Sequence, residues 1–155
     1  MRLYLIQHGE SSPKDVDPER ALTEAGRADI KRLAAFLKQA GVRVQRVIHS
    51  EKLRAIQTAE ILADAVAPGV DLESSGIINP NDNPKAFDWQ SGGWDRDTLV
   101  VGHLPFLAKL VSHLVVRDET RVITAFQPGS LVCLERTDDE HWQIACMIRP
   151  EVLKC

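Results

Sequence analysis

The chain has 155 residues, of which 44% are hydrophobic and 26% are charged, and its formal net charge is −3 at pH 7. These values are typical of one globular domain, which we assign to residues 1–155, and they leave no basic face of the kind that nucleic-acid binding requires. No stretch approaches the ~20 apolar residues that cross a bilayer, and the N-terminus lacks a signal-peptide pattern, so we expect a cytoplasmic protein that binds no membrane.

The beginning of the chain predicts a strand, a loop and a helix. Residues 2–6 are short and apolar, which suits a buried strand, and the polar residues 8–22 contain Gly and Pro and predict a loop. Thr23 is a candidate N-cap for a helix over about residues 24–40, where apolar side chains recur at i, i+3, i+4 and i+7. Gly41 then ends that helix.

A second strand and a second helix follow. Residues 44–49 predict the strand, Ser50 stands where an N-cap belongs, and the helix continues to about Val66. The next segment, residues 67–97, is rich in Gly, Pro, Asn and Asp. It predicts a long loop with room for a short strand or a helical turn.

The last third of the chain predicts a third strand with its helix and then a hairpin. Residues 98–102 form the strand, and apolar residues between 107 and 114 mark the helix. Residues 130–136 and 141–149 flank a turn, which predicts two antiparallel strands. Three strand–loop–helix units and a hairpin predict an α/β fold, a three-layer α/β/α sandwich with a largely parallel central sheet.

Polar residues follow each of the three predicted parallel strands. The first strand ends on His8, the second on His49 and Ser50, and the third on His103, and ligands of such sheets bind beyond these strand ends. Arg54 falls one turn into the second helix, and long helical side chains lean back toward the helix N-terminus. Two imidazoles, a guanidinium and a helix N-terminus at one edge favour an anion site.

Four sequence blocks resemble the histidine phosphatase superfamily, which is phosphoglycerate mutase-like in fold. LIQHGE at residues 5–10 resembles its Arg-His-Gly strand end, and RALTEAG at residues 20–26 resembles its Leu-Thr-x-x-Gly stretch. HSEKLRAIQTAE at residues 49–60 is similar to its Ser-x-x-x-Arg-Ala-x-Gln-Thr-Ala helix, and VVGHLPFL at residues 100–107 to its second-histidine strand. The short chain is similar to the SixA-like branch of phosphohistidine phosphatases.

The resemblance implies a role for each matching residue. His8 would be the nucleophile that takes the phosphoryl group, Arg54 would hold the non-bridging oxygens, and His103 would donate to one of them. The implied phosphate pocket contains six residues: Gln7, His8, Gly9, Arg20, Arg54 and His103.

Gln7 departs from the family pattern, which has Arg at this position. An amide can donate a hydrogen bond but carries no charge, and losing one charge-assisted donor costs roughly a hundred- to a thousandfold in rate. Arg20 precedes the Leu-Thr block, where SixA-like sequences also carry an arginine near the phosphate. We therefore expect a weakened pocket in which Arg20 and Arg54 supply two guanidiniums.

The proton donor is a second departure. Many members of the family carry a Glu before the third strand, but the corresponding residues 74–82 read SSGIINPND. Asp82 and Glu10 are weak candidates for that role. An alkoxide leaving group needs an acid, whereas imidazole has a pKa near neutrality and needs much less help, so the missing acid favours a phosphohistidine substrate.

The sequence thus predicts a phosphohistidine phosphatase whose partner is a phosphohistidine-bearing protein, such as a phosphotransfer domain or a phosphocarrier. Two alternatives stay open: a phosphomonoesterase of the same superfamily that acts on small molecules, and a phosphoryl-binding module in which Gln7 marks lost turnover.

We expect no metal and no cofactor. His49, His113 and His141 do not pair at metal-ligand spacing, and we interpret them as structural or surface residues. The three cysteines are odd in number and lack CxxC spacing, which favours reduced thiols over a disulfide framework or a zinc site. No P-loop, G-x-G-x-x-G or G-x-S-x-G motif is present, which argues against the common nucleotide-binding and hydrolase classes.

Overall fold

The computed structural model describes residues 1–90 and 94–154 and contains a mixed sheet of six strands with helices on both faces. The strands are β1 (Arg2–Gln7), β2 (Arg46–Ser50), β3 (Leu72–Ser75), β4 (Thr98–Gly102), β5 (Leu131–Arg136) and β6 (Trp142–Ile148). The helices are α1 (Glu24–Gln39), α2 (Leu53–Val66), α3 (Pro84–Gln90) and α4 (Phe106–Val116), and a 3₁₀ helix spans Pro150–Leu153.

The sheet has the strand order β3-β2-β4-β1-β5-β6. β1, β2, β3 and β4 are mutually parallel, and β5 and β6 add an antiparallel hairpin at one side. The predicted fold, an α/β/α sandwich with a largely parallel sheet and a terminal hairpin, is therefore confirmed.

Both faces of the central strand β1 are buried. Tyr4 and Ile6 pack with α1 and α2, whereas Leu3 and Leu5 pack with α3 and α4. Successive side chains of a strand point to opposite faces, so a strand between two helical layers is apolar at nearly every position. This explains why β1 is continuously hydrophobic until it reaches the polar residues at its end.

Helix α1 begins as the sequence predicts. The Thr23 side chain accepts a hydrogen bond from the backbone N–H of Gly26 at 2.9 Å, and Glu24 lies in the first turn. Gly41 follows the helix with a φ of +77°, a value that favours glycine.

The predicted N-cap role of Ser50 is wrong. β2 continues through Ser50, which pairs with Ser75 of β3, and α2 begins at Leu53 with Lys52 in the cap position. Pairing with β3 keeps the backbone extended for longer than the local sequence indicates. The Ser50 hydroxyl still accepts the Lys52 N–H at 3.1 Å.

The long segment before β4 contains both elements for which the sequence left room, since β3 and α3 lie within it. Residues 91–93 of that segment and Cys155 lie outside the described residues. Within the ranges that the structure describes, no helix is both long enough and apolar enough to cross a membrane.

Candidate active site

Two histidines meet at the ends of neighbouring parallel strands. Gln7 at the end of β1 pairs with Gly102 at the end of β4, so the next residue of each strand leaves the sheet at the same edge. These residues are His8 and His103, and their ring centroids lie 5.0 Å apart. The sheet topology thus brings together the two imidazoles that the sequence places on separate strands.

The His8 ring is held by the backbone of its neighbour. Its Nδ1 lies 2.7 Å from the carbonyl oxygen of Gly9, which can only accept a hydrogen bond, so Nδ1 donates and Nε2 keeps its lone pair. Burial, followed by the nearby cations Arg54 and Arg20, lowers the pKa of His8 to about 4, although the hydrogen bond to Gly9 acts in the opposite direction. His8 is therefore a neutral imidazole at pH 7, with a free Nε2.

The His103 ring is held by a side chain. His103 is only 2% exposed, and its Nε2 lies 2.6 Å from the Ser50 hydroxyl oxygen. Its Nδ1 is buried and has no hydrogen-bond partner among the described residues. Burial lowers the pKa of His103 to about 3, and His8 and Arg54 contribute. This ring is also neutral at pH 7.

Two guanidiniums accompany the imidazoles. Arg54 lies in the first turn of α2, where the helix dipole is positive, and burial together with Arg20 lowers its pKa. The Nε atom of Arg54 is buried and unpaired within the described part of the chain. Arg20 also lowers the pKa of both His8 and His103. The strand edge is therefore a cationic pocket with unused donors, which suits a phosphoryl group.

The loop between β1 and α1 fixes the position of Arg20. Arg20 has a φ of 54°, and its side chain donates to the Ser12 carbonyl at 3.2 Å and to the Ser11 hydroxyl at 3.4 Å. Asp17 accepts the N–H of Ala21 at 2.9 Å, which closes the turn around Arg20. These contacts aim the guanidinium before any ligand binds.

Helix α2 supports the pocket through two residues that sequence reasoning missed. The Gln57 side chain accepts the N–H of Leu22 at 2.8 Å and so ties the Arg20 loop to the helix. The Thr58 hydroxyl accepts the N–H of Gly9 at 3.0 Å and donates to the carbonyl of Arg54 at 2.8 Å. Both lie three or four residues after Arg54, on the same face of the helix, and that spacing was the available signal.

Glycines let α1 approach the turn that carries His8. A Cβ atom on Gly26 would overlap the carbonyl oxygen of Glu10, and one on Gly9 would lie 2.9 Å from Ile30 Cγ1. The Glu10 carbonyl also accepts the Thr23 N–H at 3.0 Å. The two segments are therefore in direct backbone contact.

Gln7 lies beside the pocket without a charge. It is 8% exposed, and its Oε1 atom is buried and without a hydrogen-bond partner in the described structure. Its backbone N–H donates to Ser130 at 3.1 Å, and its carbonyl accepts from Gly129 at 3.0 Å. The backbone of Gln7 is firmly placed, and its side chain supplies no cation.

The two candidate proton donors serve local structure. Glu10 accepts a hydrogen bond from the Thr23 hydroxyl at 2.8 Å, and Asp82 accepts from the backbone N–H of Asn79 at 2.8 Å. The charged groups that lower the pKa of His8 are both cations. Neither carboxylate is engaged with the imidazole pair.

The remaining histidines lie in structural or surface contacts. His49 is buried with its Nδ1 2.9 Å from the Ser50 carbonyl, His113 pairs with Asp88 at 3.1 Å, and the His141 side chain is 70% exposed. Within residues 1–90 and 94–154, no three side chains of His, Cys, Asp or Glu form a group that could hold a metal ion.

Comparison with known proteins finds a family model, sequence relatives and a solved structure that match this chain. The model of the histidine phosphatase superfamily (branch 1) matches residues 3–75. An uncharacterised protein of Picosynechococcus sp. is 32% identical over 117 residues, 70% of each chain. The phosphohistidine phosphatase SixA of Escherichia coli (strain K12) is 26% identical over 155 residues, 94% of each chain. A solved structure of the protein histidine phosphatase SixA complexed with tungstate matches with a TM-score of 0.85 and 22% identity, over 99% of this chain and 100% of that chain.

Proposed function

The chain belongs to the histidine phosphatase superfamily and is a SixA-like phosphatase, and from this premise we propose that it hydrolyses phosphohistidine on a protein through a phospho-His8 intermediate. The main support for the proposal is the protonation state of the His8 ring. Its Nδ1 is bound to the Gly9 carbonyl and its pKa is about 4, so Nε2 is an unprotonated nucleophile beside two guanidiniums.

The reaction has two displacements at phosphorus. In the first, the His8 Nε2 lone pair forms a bond to phosphorus while the P–N bond to the substrate ring breaks. The substrate ring carries a proton on its other nitrogen, so the electron pair of the broken bond stays on a neutral imidazole, which leaves without a further proton. In the second, a water oxygen attacks phosphorus and the bond to His8 breaks, which yields inorganic phosphate and restores the neutral ring.

The cations and His103 stabilise the charge of the transferring group. A phosphoryl group carries about two negative charges, and its transfer depends mainly on positioning and charge stabilisation. Arg54 would hold two non-bridging oxygens with its planar fork, and Arg20 would contact the third oxygen or share one of them. His103 would donate a hydrogen bond from its ring to a phosphoryl oxygen. The backbone of Gly9, which holds the His8 ring, would line the pocket beside it.

The choice of phosphohistidine over a phosphate ester follows from the leaving group. The carboxylates of Glu10 and Asp82 are bound elsewhere, and the charged groups acting on His8 are cations. Imidazole leaves with a pKa near neutrality, so it departs without a dedicated acid, whereas an alkoxide does not. The partner would be a phosphotransfer domain or a phosphocarrier that presents the phosphoryl group to this edge of the sheet.

Gln7 makes the enzyme slower than a member with Arg at this position. Arg20 partly replaces the missing charge because it lowers the pKa of the same two imidazoles as Arg54 does. We therefore expect measurable turnover that is slower than that of a member with Arg at this position.

The proposal is tested by measuring phosphate release from a phosphohistidine-bearing phosphotransfer domain and from a small aryl phosphate ester. The native chain should release phosphate from the first substrate much faster than from the second. His8→Ala should abolish release, and His141→Ala is the matched control because that side chain lies on the surface.

The other outcomes distinguish the alternatives. Faster release from the ester than from phosphohistidine would contradict the proposed substrate and favour a small-molecule phosphatase. Binding of inorganic phosphate without release from either substrate would indicate a phosphoryl-binding module.

A further inference from the structure

Ser50 is a fully buried serine at the end of β2, and its hydroxyl lies 2.6 Å from Nε2 of His103. We propose that Ser50 is a positioning residue that fixes the tautomer of His103, so that Nδ1 carries the ring proton and donates it to the phosphoryl oxygen. This inference deepens the proposed function and rests on it, since it assigns the origin of one of its hydrogen bonds.

The contacts of the hydroxyl decide where its proton goes. The Ser50 oxygen already accepts the backbone N–H of Lys52 at 3.1 Å, and within the described structure it has no partner other than this N–H and His103. If Nε2 of His103 carried a proton, the oxygen would accept from two N–H groups and its own proton would lack an acceptor in a buried place. Such an unpaired buried donor costs ~1–3 kcal/mol. The hydroxyl therefore donates to Nε2, which must be unprotonated.

The other ring nitrogen is the one that a ligand can use. His103 Nδ1 is buried and has no partner among the described residues, and the ring stands 5.0 Å from the ring of His8. With Nε2 occupied by Ser50, a neutral ring carries its single proton on Nδ1. A phosphoryl oxygen only accepts hydrogen bonds, so this tautomer satisfies both the ring and the oxygen.

Fixing the tautomer matters because the ring is neutral. The pKa of His103 is lowered to about 3, so at pH 7 it has one N–H and not two. If that proton moved to Nε2, the lone pair of Nδ1 would face an anionic oxygen and repel it. A contact that stabilises charge would then become one that destabilises it.

Ser50 does not act as a nucleophile in this arrangement. Its hydroxyl is occupied by His103 and by the Lys52 N–H, so it acts through His103. Ser50 ends β2, which pairs with β4, and His103 directly follows β4.

The first test is the nitrogen-15 NMR spectrum of the uniformly labelled native protein, in which protonated and bare ring nitrogens resonate far apart. The His103 signals, identified by their loss in His103→Asn, should show Nδ1 protonated and Nε2 bare at pH 7. A native spectrum with the proton on Nε2 would overturn the proposal. Because this measurement needs no catalytic activity, its result is independent of the proposed function.

The second test is a double-mutant cycle for phosphate release from a phosphohistidine protein. Ser50→Ala should lower the rate roughly a hundredfold, as expected for one misdirected donor. Asn at position 103 places an amide N–H near the position of Nδ1 and has no tautomer to fix, so Ser50→Ala should cost nothing further in His103→Asn. An equal loss in both backgrounds would overturn the proposal, because it would show a general packing effect.

Ser112→Ala is the matched control. Ser112 is another serine with 0% exposure, and its hydroxyl donates to the carbonyl of Arg121, away from the histidine pair. Its loss should leave the rate unchanged, whereas Ser50→Thr, which keeps the hydroxyl, should retain the native tautomer. A Ser50→Ala protein with the proton still on Nδ1 would also overturn the proposal.

Discussion

His8 and His103 occupy equivalent places, since each follows the last residue of one of two neighbouring parallel strands. They differ in what holds the ring. His8 binds the carbonyl of its own neighbour through Nδ1 and leaves Nε2 free, whereas His103 binds a side chain from another strand through Nε2 and leaves Nδ1 free. Two identical side chains therefore present opposite ring nitrogens to one pocket.

The difference shows that the partner of one nitrogen sets the chemistry of the other. A backbone carbonyl can only accept, so it makes the far nitrogen of His8 a base and a nucleophile. A serine hydroxyl that has already accepted one N–H donates to His103 and so makes its far nitrogen a hydrogen-bond donor. Under the proposed function, the two rings then have complementary roles, one forming a bond to phosphorus and the other stabilising an oxygen.

The largest difference between His8 and His103 is expected when each ring is replaced with the amide side chain that matches its free nitrogen. Gln places its amide group near the position of Nε2, and Asn places it near Nδ1. His8→Gln should lower phosphate release more than about a thousandfold because an amide cannot form the phosphoenzyme, whereas His103→Asn should lower it only about tenfold. Steady-state release from a phosphohistidine protein measures both.

Equal losses in the two variants would contradict the proposed difference, since the two rings would then contribute equally to phosphate release. Circular dichroism of each variant serves as the control for folding.

The cations beside the rings give a test with a smaller expected effect. Arg20→Ala should slow release about ten- to a hundredfold, because Arg20 supplies charge that Gln7 lacks. Gln7→Arg should speed the native chain and should recover most of the loss in Arg20→Ala. The rates of the four proteins in this cycle measure how far the two positions substitute for each other.

Arg43→Ala is the control, because Arg43 is exposed and lies before β2, at the opposite end of the strand from the pocket. If Gln7→Arg has the same effect with and without Arg20, the two positions act independently and the idea of compensation is wrong.

The smallest effect concerns stability and pH. The pKa values of His8 and His103 are about 4 and about 3 in the folded chain, below the value of about 6.5 for an exposed histidine. The unfolded chain therefore takes up protons first as the pH falls from 6.5 toward 4, and the folded state loses stability in that window. Each histidine should cost on the order of 2 kcal/mol between pH 7 and pH 4.5.

Urea unfolding at the two pH values measures this loss. His8→Gln and His103→Asn should each reduce the pH dependence, and His141→Gln, a surface change, should not. If His8→Gln leaves the pH dependence unchanged while His103→Asn removes it, the expected contribution of His8 is wrong and its ring is well hydrated in the folded chain.

The sequence predicted most of the fold because local signals and tertiary structure agree there. The apolar runs that form the strands and the Thr23 N-cap are both local in sequence, so they can be recognised without knowing the tertiary structure. Ser50 is the exception, since its local pattern indicates a helix cap while pairing with β3 keeps it in a strand. The Gly- and Asn-rich segment left room for a short strand, but its strand character is too weak to predict that the strand pairs with Ser50.

The sequence placed His8, Arg54 and His103 at one edge, but the contacts that orient them could not be derived from it. The hydrogen bond from Leu22 to Gln57 joins residues 35 positions apart in the sequence, and the hydrogen bond between Ser50 and His103 joins residues 53 positions apart. Such contacts depend on strand order and on helix rotation, neither of which is encoded in a local pattern. Proton positions on the rings depend in turn on those contacts.

The backbone contact between Gly26 and Glu10 makes residue 26 sensitive to the size of its side chain. Residue 26 contributes no polar side chain, yet any larger side chain there would push α1 away from the turn that carries His8. A substitution at this position therefore acts through the volume of the new side chain. A variant at residue 26 that lost activity would look like a lost binding residue, although it had changed only a separation between two segments.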